Sequence, residues 1–140
     1  MPRKGPAPRR VIAPDPIYNQ IMVSRFINRL MLDGKKSVAE KIFYSALEKV
    51  EARAGRPGIE VFNDALRNVM PVVEVKSPRK EAVGIRWMIT FARRRNGRSM
   101  VDKLSAEILD AANKQGGAVR RREEGFKMAE ANKAFSHYRF

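Results

Sequence analysis

A chain of 140 residues has the length of one domain, and with 44% apolar residues it can bury one core but not two. Lys and Arg number 29 against 15 Asp and Glu, a net charge of +14 that repels itself in a compact fold unless an anionic partner absorbs it. The lack of Cys excludes disulfides and thiolate metal sites and fits a reducing, cytoplasmic setting. The apolar runs are too short to span a bilayer, and the charged N-terminus is followed by no apolar signal segment, so neither a membrane nor secretion is expected.

Residues 1–14 predict a disordered basic arm. Pro2, Pro6, Pro8 and Pro14 interrupt any helix, while Arg3, Lys4, Arg9 and Arg10 carry charge with no acid nearby. Such a segment orders along a phosphate backbone, driven by released counterions. Asp15-Pro16 predicts the start of a first helix, with Asp as N-cap and Pro in the first helical position. Ile17, Ile21, Met22, Phe26, Ile27 and Leu30 then recur at helical spacing, and Asp33-Gly34 is expected to close the helix with a left-handed cap.

Ser37 to Glu40 predicts a capping box that opens a second helix. Its inward positions are Val38, Ile42, Phe43, Leu47 and Val50, and Gly55 stops it. A third helix from about Gly58 buries Ile59, Phe62, Leu66 and Val69 and halts before Pro71. Val72 to Lys76 is β-branched and roughly alternating, which predicts one short strand with no convincing partner.

Helical spacing resumes from Arg79 to Arg95 through Val83, Trp87 and Phe91. After an Asn96-Gly97 turn, Ser99 caps a fifth helix with Val101, Leu104, Ile108 and Ala112 inward, closed by Gly116-Gly117. A sixth is expected from around Arg121 to Phe135. The fold class is therefore mainly α: residues 15–140 form a single domain of five to six helices with a short β element.

Catalysis finds little support. The chain has one His (His137), one Thr (Thr90), no phosphate-cradling Gly-rich loop and no metal-ligand spacing. Glu123 and Glu124 follow Arg120, Arg121 and Arg122 near a helix start, where acids favour the dipole. No enzyme, cofactor, metal or small-molecule substrate is expected.

The basic clusters speak louder. Lys35 and Lys36 sit between the first two helices, Lys76, Arg79 and Lys80 flank the strand end, and Arg93, Arg94, Arg95 and Arg98 crowd a helix end and the next turn. Any single Lys is most simply a solvated side chain. The set converges at helix ends and loops, where side chains and backbone groups can meet phosphates together. Phe26, Phe43, Phe62, Trp87 and Phe91 occupy apolar helical positions and are expected in the core. Phe135, His137, Tyr138 and Phe140 interleave with Arg139, which suits base stacking, a neighbouring protein or the chain's own domain equally. These features do not separate RNA from DNA, although charge scattered over several edges suits a folded RNA better than one groove-reading helix.

Four segments in order carry a resemblance that covers the chain. They are Asp33-Gly34-Lys35-Lys36-Ser37 with Ala39-Glu40; the run from Asn68 through Pro71 to Ser77; Arg86-Trp87; and Met128-Ala129-Glu130-Ala131-Asn132-Lys133-Ala134-Phe135-Ser136-His137-Tyr138-Arg139-Phe140. Together they resemble the seventh universal family of small-subunit ribosomal proteins, in its bacterial form. The resemblance implies binding to the 3′ major domain of small-subunit ribosomal RNA and nucleation of head assembly. It also implies a place near exit-site transfer RNA and the messenger, beside neighbouring head and platform proteins.

RNA contacts are then expected at Arg3, Lys4, Arg9, Arg10, Lys35, Lys36, Lys76, Arg79 and Arg94, with Lys80 and Arg95 added from the same clusters. His137, Tyr138 and Arg139 are expected to meet transfer RNA or a platform protein. In one respect the chain departs from the family: the turn and returning strand of a β-ribbon are missing between Ser77 and Pro78. A true deletion and a mobile ribbon tip absent from the sequence are both open, and a projecting ribbon favours the second.

Overall fold

A computed structural model describes residues 3–71 and 77–136, with backbone alone at 77–79 and 134–136. Six helices follow one another in it: α1 (Ile21–Leu30), α2 (Lys36–Ala54), α3 (Gly58–Val69), α4 (Ser77–Arg94), α5 (Met100–Ala112) and α6 (Gly117–Ser136). Among the described residues there is no strand; the one expected over Val72 to Lys76 lies outside them.

The core begins with three phenylalanines, one from each of the first three helices. Phe26, Phe43 and Phe62 are fully buried, and their ring centroids lie 5.1 to 5.3 Å apart. Two of the three pairs stand edge to face, the arrangement the ring quadrupoles favour. Helix α5 lies against α2, α3, α4 and α6 and presents Leu104, Ile108 and Ala111, a stripe at spacings of four and three.

α2 and α3 meet so closely that only glycine fits at position 58. A Cβ there would sit 2.5 Å from the Leu47 carbonyl oxygen, a backbone atom that cannot rotate away. Gly58→Ala removes a helix-unfavourable residue, a gain of at most about 1 kcal/mol. Overpacking costs about 1–3 kcal/mol and should win. A lowered urea midpoint at unchanged m-value is the expected result; a raised midpoint would show that the two helices can part freely.

Several expectations from the sequence need correction. Asp15-Pro16 does not start α1. Both Ile17 N–H and Tyr18 N–H donate to Asp15 Oδ2 at 3.0 Å, so Asp15 closes a local side-chain turn instead. The helix starts at Ile21, with Val23, Phe26, Ile27 and Leu30 buried. Ile17 and Ile21, expected inside, are 62% and 45% exposed.

Asp33 and Gly34 do adopt left-handed backbone, at φ of 54° and 71°, but three residues beyond the end of α1. They form the turn that launches α2. That helix starts at Lys36, so Ser37 is already inside it and no side chain caps its N-terminus. The capping box cannot form there, and the inner stripe runs through Ala39 while Val38 is left 49% exposed.

Ser99 does cap α5, its Oγ accepting from Asp102 N–H at 3.3 Å. Beyond that helix, Lys114 and Gly116 turn the chain with positive φ. α6 begins at Gly117, four residues before Arg121. A Cβ at Gly117 would lie 2.5 Å from Phe91 Cδ1, so Gly117 lets the start of α6 approach the α4 ring. Its task is helix packing rather than closure of α5.

Candidate nucleic-acid interface

The described arm, residues 3–14, has neither helix nor strand, and Arg3, Lys4, Arg9 and Arg10 are all exposed. Its inner end is held to the domain. Ser24 Oγ of α1 donates to the Ala13 carbonyl at 2.7 Å. Tyr44 OH of α2 donates to Asp15 Oδ1 at 2.5 Å, and Asp15 is only 3% exposed. Burial and the bond to Asp15 push the Tyr44 hydroxyl pKa upward, so it stays a donor through the neutral range. Arm and helices thereby enclose a groove of about 400 Å³, with Arg10 and Lys36 both on its wall.

Lys35 and Lys36 are exposed where the loop enters α2. That loop starts after Leu30, whose carbonyl accepts from Arg93 Nη2 at 3.3 Å. The C-terminal end of α4 is thus fastened where the lysine loop leaves α1. Beside Arg93, Arg94 is exposed and lies over the Phe91 ring, 5.1 Å from its centroid. The structure puts Arg10 and Lys36 on one groove and ties the end of α4 to the last residue of α1, where the loop to Lys35 and Lys36 begins.

Charge compensation reaches only some of the cations. Arg25 pairs with Glu81, Lys49 with Asp102, Arg56 and Arg67 with Asp64, and Arg95 with Glu107 and Asp110. The Lys49 ammonium holds the Asp102 carboxyl below its usual range, and the Arg56 guanidinium does the same for Asp64. None of these ion pairs involves Arg3, Lys4, Arg9, Arg10, Lys35, Lys36 or Arg94. The arm and lysine loop keep their charge, as do Lys41 and Arg53 of α2 and Lys103 of α5, which are in none of these ion pairs either.

Arg95 stands apart from the other candidates. Nε donates to Glu107 Oε2 at 2.6 Å, and Nη2 donates to Asp110. Burial pulls the guanidinium pKa down, but the two carboxylates outweigh it and raise the net value. Glu107 is 1% exposed, and its second oxygen accepts Ala118 N–H at 3.1 Å, in the first turn of α6. Sequence reasoning missed this junction. The available signal was a Glu on the apolar stripe, between Leu104 and Ile108.

The remaining candidates scatter. Lys80 is half-buried in the first turn of α4, and Arg79 is described by backbone alone. Lys76, His137, Tyr138 and Arg139 lie outside the described residues. Of the second arginine run, Arg120 is exposed, Arg121 covers the Trp87 ring at 5.1 Å, and Arg122 Nη1 donates to the Asn68 carbonyl at 3.1 Å. Along α6, Phe126 and Met128 remain 43% and 65% exposed.

Among the described residues, no group of three or more His, Asp or Glu could hold a metal ion, and no helix is long and apolar enough to cross a membrane.

Comparison with known proteins gives a consistent answer. The family profile described as ribosomal protein S7p/S5e matches residues 2–80 and 73–133. Small ribosomal subunit protein uS7 of Carboxydothermus hydrogenoformans is 51% identical, with both chains covered completely. Its namesakes in Lawsonia intracellularis and Caldanaerobacter subterraneus are 53% and 49% identical, again over both full lengths. Each alignment spans 156 positions against 140 residues here, so at least 16 aligned positions have no counterpart in this chain. The two pieces of the profile match overlap at residues 73–80, around Ser77 and Pro78 where the sequence lacks the expected ribbon.

Proposed function

The chain belongs to the S7p/S5e family of ribosomal proteins, and on that premise we propose that it clamps a folded junction of small-subunit ribosomal RNA. It is a structural constituent of the small ribosomal subunit and not an enzyme. In this reading the junction lies in the 3′ major domain, and binding there nucleates assembly of the head. The helical core acts as a rigid wedge, and the arm and lysine loop grip phosphates by position, with little reading of base edges.

The observation that carries the reading is the groove shared by Arg10 and Lys36, with exposed Lys35 next to it. Its cations have no carboxylate partner among the described residues, whereas Arg95 is paired with buried Glu107 and with Asp110. An RNA backbone supplies the missing negative charge. Arg3, Lys4 and Arg9 extend the same region outward. Lys76, Arg79 and Lys80 are further contacts in this reading, taken from their clustering in the sequence. Arg95 belongs to the scaffold in this reading, because its donors are already engaged.

Exposed Phe126 and Met128 favour a protein neighbour along α6. His137, Tyr138 and Arg139 at the chain end would continue that contact toward a platform protein or exit-site transfer RNA, near the messenger.

The test is the salt dependence of binding to a transcript of the 3′ major domain. Lys35→Ala with Lys36→Ala should weaken binding and lower the slope of log affinity against log salt by roughly 1–2, about one for each phosphate no longer gripped. An unchanged slope removes the loop from the interface. Duplex DNA of equal length should compete poorly, and equal competition would favour the rival DNA-binding reading.

A further inference from the structure

The arm does not leave the domain as a free tether. Asp15 is almost wholly buried, and three donors converge on its carboxylate: Tyr44 OH, Ile17 N–H and Tyr18 N–H. Tyr18 packs edge to face on Phe43 with centroids 6.4 Å apart, and the Tyr44 ring lies 6.0 Å from the Tyr18 ring. This latch joins the root of the arm to α2 through the aromatic core.

Its position on α2 gives it direction. Lys36, Glu40 and Tyr44 follow at intervals of four and so share one helix face. Asp15 is bound at the Tyr44 end of that face. Pro14, Ala13 and Arg10 line the groove that Glu40 and Lys36 also wall. The Ser24 bond to the Ala13 carbonyl holds the segment midway. The chain therefore runs back along α2 for about two turns, roughly 12 Å at 1.5 Å per residue, and delivers Arg10 beside Lys36.

We propose that Asp15, gripped by Tyr44, is a positioning residue for RNA binding: it fixes the direction of the arm, so that arm and lysine loop meet the phosphate backbone as one pre-oriented surface. This rests on the reading of the arm as an RNA-binding element. An arm of set direction loses less freedom on binding than one that swings from its root. The latch touches no RNA itself.

Tyr44→Phe removes the hydroxyl that ties Asp15 to α2 and leaves the local turn and the aromatic packing in place. Its effect is measured in the full chain and in a chain lacking residues 1–10, against a transcript of the 3′ major domain. A roughly five- to tenfold loss of affinity is expected in the full chain, and less than about twofold without the arm. An equal loss in both would overturn the proposal, because the hydroxyl would then act through the core.

A second measurement needs no RNA. Spin labels on cysteines introduced at Ala7 and Lys41 report the distance from arm to α2, in a chain with no Cys of its own to interfere. The distance distribution should be narrow in the parent and broaden with Tyr44→Phe and with Asp15→Ala, while melting stays cooperative. Distributions unchanged by both substitutions would sink the latch whatever the RNA result. If the latch passes this test but deletion of residues 1–10 leaves RNA affinity unaltered, the RNA reading of the arm fails and takes the positioning role with it.

Discussion

Glu107→Ala is expected to lower unfolding free energy by about 3 kcal/mol or more, the range for breaking one side of a buried, hydrogen-bonded ion pair. Two donors go without their acceptor at once. Arg95 Nε loses its 2.6 Å acceptor, and Ala118 N–H loses the side-chain oxygen bonded to it. The emptied carboxylate site is almost wholly shielded from solvent, since Glu107 is 1% exposed. Partial exposure of Arg95, at 25% of its side chain, puts the cost nearer the lower end of the 3–5 kcal/mol range.

Asp110→Ala makes the contrast. That carboxylate is 41% exposed and touches Arg95 only from the rim, so about 1 kcal/mol or less should be lost. Glu107→Gln should fall between, since an amide oxygen can still accept from Ala118 while Arg95 keeps only Asp110 as a charged partner. Urea unfolding measures all three. Hydrogen exchange in the first turn of α6 should rise most in Glu107→Ala, because that turn is the element the carboxylate fastens. Equal costs for Glu107→Ala and Asp110→Ala would refute burial as the source of the difference.

The helices were legible because their signals are local. α3 runs from Gly58 to Val69 as its apolar spacing and Pro71 dictate, and Ser99 caps α5 as its position predicts. Errors came where a local rule met a tertiary competitor. Asp15 carries an N-cap signature, yet its carboxylate finds Tyr44, twenty-nine residues away in the chain, and the helix starts later. Ser37 and Glu40 have capping-box spacing, but the helix register is set by Ala39 and Phe43 and passes Ser37 by.

For the candidate site, composition and clustering indicated which cations matter, but not which of them are already paired. Arg94 and Arg95 are adjacent and chemically alike. One lies exposed over a phenylalanine, and the other is tied to two carboxylates. Only the packing of α5 against α4 distinguishes them, and that pairing is not written in either segment alone.

Phe43→Ala should be the most damaging single truncation in the core, at about 3–5 kcal/mol, or a fall in melting temperature of roughly 10–15 °C for a chain of this size. Phe43 touches four other rings: Phe26 at 5.3 Å, Phe62 at 5.1 Å, Tyr44 at 6.1 Å and Tyr18 at 6.4 Å. Three of those pairs stand edge to face, so each surrenders directed attraction in addition to buried area. Collapse around the void is resisted because the neighbours belong to three helices and to the root of the arm. The cavity term should therefore approach its full value of about 24 cal/mol per Å³. Phe43→Leu retains most of the volume and should cost about half as much. Phe126→Ala serves as the control: that ring is 43% exposed, so the loss should stay within about 0.5 kcal/mol. If Phe43→Ala costs no more than Phe126→Ala, the three-helix aromatic centre is not what holds α1, α2 and α3 together, and the arm root would have no rigid platform from which to be aimed.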